Sequence, residues 1–117
     1  MSRTLNIRVS SLPDALDRFE AAWHLASGRR APEPRRLLGF ADLPLLFRTL
    51  TPARWQLLQR LRADGPLSVN ALAKRLRRNY KNVHTDVTRL LQLGLIQRTA
   101  DSLVGVPWDA VRAELKL

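Results

Sequence analysis

The segment from Tyr80 to Leu93, YKNVHTDVTRLLQL, places Lys81, Asn82, His84, Thr85 and Arg89 between apolar residues spaced three and four apart. On a helix, Val83, Val87 and Leu90 (with Leu91 at the margin) form a buried face, which leaves the polar residues outside it. Amide, hydroxyl, imidazole and cationic groups of this kind hydrogen-bond to base edges in a nucleic-acid groove. Lys81, Asn82 and Thr85, nearest the N-terminal end, are the first choices for base reading, followed by His84 and Arg89. Immediately upstream, Lys74, Arg75, Arg77 and Arg78 concentrate cations suited to neutralising phosphates and releasing counterions. Thr88 joins them as a phosphate candidate, and Tyr80 is equally a packing residue or a phosphate contact. Asp86 reads instead as a structural ion-pair partner. Arg54, Arg60 and Arg62 read as a solvated outer face of another helix, which is also the plain alternative for the whole polar set.

The charge distribution agrees with a polyanion partner. Twenty Lys and Arg against ten Asp and Glu give a net charge of +10 over 117 residues, with a pI near 11.6. Residues 51–98 hold ten of the basic groups and two of the acidic ones, whereas residues 99–117 hold two and three. Catalysis finds little support. The chain has no cysteine, which excludes disulfides, thiolate metal sites and thiol nucleophiles. His24 and His84 do not pair as metal ligands, and neither a glycine-rich phosphate loop nor a Ser-His-Asp arrangement stands out. No enzyme activity, cofactor or metal is therefore expected. Without a long apolar run or a leader-like start, a cytoplasmic protein with no membrane partner is the expectation.

The elements that must position these residues are legible from caps and periodicity. Leu5, Ile7 and Val9 alternate with polar residues, the pattern of a half-buried strand. Ser11, Pro13 and Asp14 then start a helix over Pro13–Ser27, whose apolar face is Leu12, Leu16, Phe19, Trp23 and Ala26. Residues 28–36, with two prolines and four arginines, read as an exposed connection. Leu38 and Phe40 allow a short strand, and Asp42 caps a brief helix carrying Leu43, Leu46, Phe47 and Leu50. Thr51 and Pro52 start the next helix, with Trp55, Leu58 and Leu61 as its buried stripe and Asp64-Gly65 as its end. Ser68 caps a helix through Leu76, with Leu72, Ala73 and Leu76 on one face, and Asn79 caps the helix from Tyr80. The turn between these two is so short that the helices must cross steeply, as when a second helix enters a DNA major groove. Gly94 stops that second helix. Ile96–Thr99 and Leu103–Val106 then flank the turn Ala100-Asp101-Ser102 as a β-hairpin. Trp23, Trp55 and Trp108 are expected to pack in the core.

The succession LTPARWQLLQRL, GPLSVNALAKRL, NYKNVHTDVTRLLQLGLIQR and a short hairpin resembles the winged helix-turn-helix regulators of the MarR and ArsR kind. With TLNIRVSSLPDALDRFEAAW at the start, it is more closely similar to a family of prokaryotic DNA-binding antitoxins. YKNVHTDV and Gly94-Leu95-Ile96 are the most specific pieces of that likeness. It implies an α+β, mainly α fold: a winged helix-turn-helix with an N-terminal strand-helix extension. It also implies a transcriptional repressor that neutralises a small protein toxin and represses its own operon. The sequence departs from common winged-helix patterns in carrying Arg77-Arg78 where a glycine often sits, and in a hairpin poor in positive charge.

On this reading residues 1–50 are a dimer or toxin contact, 51–106 the DNA-binding domain, and 107–117 a tail. In the tail, Val111, Ala113, Leu115 and Leu117 alternate as in a strand, with a helix capped by Asp109 as the alternative. Two half-apolar strands at the chain ends would leave open edges, and such edges invite pairing with another chain. The expected partners are thus double-stranded DNA with an inverted-repeat operator, a second copy of the chain, and a small protein toxin. A stand-alone regulator without a toxin, a protein-binding winged helix and an RNA-binding accessory protein remain the alternatives.

Overall fold

The computed structural model describes residues 3–9 and 37–115. The expected helix over Pro13–Ser27, the connection at 28–36, and with them Trp23 and His24, lie outside the described residues. The fold is α+β, with four α-helices and five strands among the described residues. In chain order these are β1 (Thr4–Val9), β2 (Leu37–Phe40), α1 (Leu43–Thr49), α2 (Pro52–Asp64), α3 (Val69–Leu76), α4 (Tyr80–Leu93), β3 (Gln97–Arg98), β4 (Val104–Gly105) and β5 (Ala110–Leu115). Among the described residues, no helix is long and apolar enough to cross a membrane.

The chain divides into two compact units. The first joins Met1–Arg3 to Leu50–Ala110, and the second joins Thr4–Thr49 to Val111–Leu117. The first unit thus runs to residue 110, and residues 111–117 fall in the second.

In the second unit the strand order is β2-β1-β5. β1 and β2 run parallel, with Ile7 opposite Leu38 and Val9 opposite Phe40. Leu5 and Ile7 are buried, as their alternation requires. The C-terminal segment is a strand, not a helix, and it lies beside β1. That placement corrects the expectation of an open edge for β1, which is the central strand flanked on both sides, whereas β5 stands at the edge of the sheet. Only Val111 of β5 is half-buried, and Leu115 is exposed. In α1 the Asp42 carboxylate accepts the Leu45 N–H at 2.8 Å. Its buried residues are Leu46 and Thr49, while Phe47 stays 63% exposed. Thr49 tolerates burial because its hydroxyl donates to the Leu45 carbonyl at 2.7 Å.

The first unit is built from capped helices. Thr51 Oγ1 accepts from the Arg54 N–H, with Pro52 occupying a first-turn position where no N–H is needed. Ser68 Oγ accepts from the Ala71 N–H at 3.1 Å. Asn79 Oδ1 accepts from Lys81 at 2.8 Å and Asn82 at 3.4 Å. Each cap satisfies backbone donors that the first helical turn leaves without partners. α2 packs on α3 and α3 on α4. The unit's fully buried side chains include Leu57, Leu61, Leu72, Val83 and Leu90. In α2 the stripe is Leu57, Leu58 and Leu61, and Trp55 is 39% exposed, so the helix is rotated from the expected Trp55 stripe.

After α4, β3 and β4 pair antiparallel, with Gln97 opposite Gly105. The strands are shorter than the sequence pattern suggests, and a short 3-10 turn over Ala100–Ser102 joins them. Leu67 adds an isolated antiparallel bridge to Val104, tying the start of α3 to the hairpin. Trp108 is buried, and its indole N–H donates to the Gly94 carbonyl at 2.9 Å. Arg3 covers its ring at 5.2 Å. Arg3 and Asp109 exchange hydrogen bonds, Arg3 N–H to the Asp109 carboxylate and Asp109 N–H to the Arg3 carbonyl, both at 2.8 Å. Arg62 bonds the same carboxylate. These contacts clasp the two chain ends onto the close of α4.

Candidate nucleic-acid interface

α3 and α4 are joined by Arg77, Arg78 and Asn79, and the turn is closed by backbone geometry. The Arg77 N–H bonds the Lys74 carbonyl at 3.2 Å, and the Arg78 N–H reaches back to Ala73 at 3.1 Å. This is the Schellman end of a helix, which needs a left-handed residue at its centre. Arg77 supplies it, with φ 55° and ψ 44°. α4 ends the same way, with Leu95 N–H on the Leu90 carbonyl at 3.0 Å, but there the left-handed residue is Gly94 at φ 80°. A side chain in this conformation costs roughly 1–2 kcal/mol that glycine avoids. Arg77→Gly should therefore raise the stability of the chain by about 1 kcal/mol. A thermal melt reads that gain directly, and a lower midpoint would mean that the Arg77 side chain stabilises the folded turn by more than its backbone strain costs.

The exposed residues of this region sort by whether they already have a partner. Arg75 pairs with Asp64 at 3.3 Å, and Asp64 also takes Arg60 at 3.2 Å. Arg78 donates to Asp86 at 2.8 Å, and Arg54 donates to the other oxygen of the same carboxylate at 3.0 Å. Asp86 is thus the structural ion-pair partner that its position suggested. Arg54 is drawn into the contact between α2 and α4 instead of lying on an outer face. Arg78 is only 29% accessible in its side chain, and one of its guanidinium nitrogens is buried with no hydrogen-bond partner among the described residues. By contrast Lys74, Arg77 and Lys81 are exposed, and among the described residues no ion pair holds them. These three cations thus stand at or shortly before the start of α4 in the chain, while Arg75 and Arg78 are engaged within the unit.

On α4 itself, Val83, Val87 and Leu90 are buried, and Lys81, Asn82, His84, Thr85, Thr88 and Arg89 are all exposed. Tyr80 is 51% exposed, which removes it from the core, and its ring lies 5.9 Å from His84. Two of the hydroxyls are already committed: Thr85 donates to the Lys81 carbonyl at 3.0 Å and Thr88 to the His84 carbonyl at 2.9 Å. A phosphate oxygen only accepts hydrogen bonds, so Thr88 as placed has no donor for one. Arg89 reaches the neutral Gln92 at 3.4 Å.

Two exposed groups of the same surface escape a reading by helix and turn alone. Gln92 continues the outer stripe one turn beyond Thr88, and Arg98 stands exposed on β3. Arg98 places one cation on the hairpin, and the pattern QRT beside the turn was its signal. Among the described residues, no group of His, Asp or Glu comes together in a way that could hold a metal ion.

No curated protein matches the chain. One family model does, over residues 49–113, a span that starts within one residue of the compact unit Leu50–Ala110 and ends three beyond it. The match covers more than half of the sequence, and the chain belongs to this family, HVO_A0114.

Proposed function

We propose that residues 50–110 form a winged helix-turn-helix that binds double-stranded DNA, with α4 as the recognition helix and the β3-β4 hairpin as the wing. One observation carries this reading. The face of α4 opposite its buried residues consists of hydrogen-bonding side chains, and cations that form no ion pair among the described residues flank its N-terminal end at Lys74, Arg77 and Lys81. A recognition helix entering the major groove brings its first turns to the base edges and its flanks to the phosphates. Lys81, Asn82, His84, Thr85 and Arg89 are then the base readers, and Lys74, Arg77 and Arg98 the phosphate contacts.

The same reading makes the protein a cytoplasmic repressor that acts as a homodimer on an inverted repeat. Its further role, as an antitoxin that captures a small toxin and represses its own operon, rests on the sequence resemblance.

The test is a binding titration of the full chain against the DNA upstream of its own gene, a random duplex and a structured RNA. Preference for the upstream duplex, weakening steeply with salt, supports the proposal. Equal or tighter binding to the RNA overturns it. Co-expression with the product of the adjacent small reading frame tests the antitoxin role separately.

A further inference from the structure

Resting on the DNA-binding reading, the geometry of α4 points to the bases it prefers. With about 3.6 residues per turn, Lys81, Thr85, Thr88 and Gln92 form the stripe directly opposite Val83, Val87 and Leu90. Asn82 and Arg89 flank that stripe on the side of Asp86, and Tyr80 and His84 flank it on the other. The centre of the outward face is therefore held by two threonines.

Each has one hydroxyl hydrogen, and each spends it on a carbonyl four residues back, Thr85 on Lys81 and Thr88 on His84. With each hydroxyl hydrogen committed to the helix backbone, neither threonine has a donor left for a base, and the apolar group each can still offer a groove is its Cγ2 methyl. The apolar feature of the major groove is the C5 methyl of thymine. Three helical residues rise about 4.5 Å along the axis, against about 3.4 Å between successive base pairs, so the two methyls match neighbouring steps. One turn toward the N-terminus, Asn82 is exposed. Its amide has the donor-acceptor pair that recognises adenine at N6 and N7.

We infer that Thr85 and Thr88 read thymine methyls, so that each half-site contains at least two adjacent A·T pairs, with Asn82 on an adenine beside them.

The full chain is used to select from a randomised duplex pool, and the selected thymines are then replaced singly by deoxyuridine, which removes the methyl and keeps the base pairing. Selected half-sites should carry the adjacent A·T pairs, and each deoxyuridine at a contacted step should weaken binding about fourfold, the value of one buried methyl-sized group. Thr85→Val, which keeps the methyl, should retain the preference for thymine over uracil. Thr85→Ser, which keeps the hydroxyl, should lose it at one position. The deoxyuridine arm uses the unaltered protein and does not depend on how either variant folds. Selected sites without adjacent A·T pairs, uracil bound as tightly as thymine, or a preference kept by Thr85→Ser and lost by Thr85→Val would each overturn the inference while leaving DNA binding intact. Failure to enrich any duplex would instead overturn the DNA-binding reading, and this inference with it.

Discussion

Asp86→Ala is expected to destabilise the chain by about 2–3 kcal/mol, lowering its thermal midpoint by roughly 8–12 °C. The carboxylate stands between two guanidinium groups, and its side chain is only 13% accessible. Removing it would leave the part-buried Arg78 cation without its counter-charge. An uncompensated charge in such a position costs far more than a lost surface pair. The figure is placed below that of a fully buried pair because Arg78 keeps some contact with water. Urea denaturation should show a lower midpoint at unchanged slope. In the double variant Asp86→Ala with Arg78→Met, part of the loss should return, since the stranded cation is gone. A loss below about 0.5 kcal/mol would mean that the pair behaves as an ordinary surface one.

The largest effect on DNA should come from replacing the three phosphate contacts, Lys74, Arg77 and Arg98, together by alanine. All three are exposed, and none is held in an ion pair among the described residues, so stability should change by less than about 0.5 kcal/mol. Each lost phosphate contact lowers the salt slope of log K by about 0.9. Three per protomer should flatten it by about 5 in a dimer and reduce affinity on the order of 10³-fold at physiological salt. Specific and random duplexes should suffer alike, because phosphates carry no sequence. Arg60→Ala is the control for a cation that already has a partner: it removes one positive charge, paired with Asp64, and should leave the slope nearly unchanged. A triple variant that binds as the original does would remove this face from the interface.

The parts of the fold that the sequence displayed are the local ones. Thr51, Ser68 and Asn79 act on N–H groups two or three residues away, and Gly94 acts within its own turn, so each is written in a few adjacent letters. The rotation of a helix is different. In α2 the spacing of Trp55, Leu58 and Leu61 fits a buried stripe as well as that of Leu57, Leu58 and Leu61, and only the packing of α3 decides for the second. Phe47 and Thr49 exchange roles in α1 for the same reason, with a side-chain hydrogen bond making the polar residue acceptable inside. The neighbours of β1 lie at Leu37–Phe40 and Ala110–Leu115, too far along the chain for any periodicity to announce. At the candidate interface, the polar face of α4 was legible as a face. That Arg78 is held by Asp86, and that both threonine hydroxyls are spent on the helix, depends on side-chain geometry that residue types do not state.

The clasp between Arg3 and Asp109 joins residues 106 positions apart. During synthesis Arg3 is therefore exposed long before its partner is made. Closing so long a loop is entropically costly, and contacts of high sequence separation form slowly. Until residues 108–115 are available, the Gly94 carbonyl lacks the Trp108 indole and β1 lacks β5. Both units thus draw on the same short segment, residues 108–115, so a chain cut before Trp108 would leave the end of α4 without its indole contact and β1 without one of its two neighbours at once.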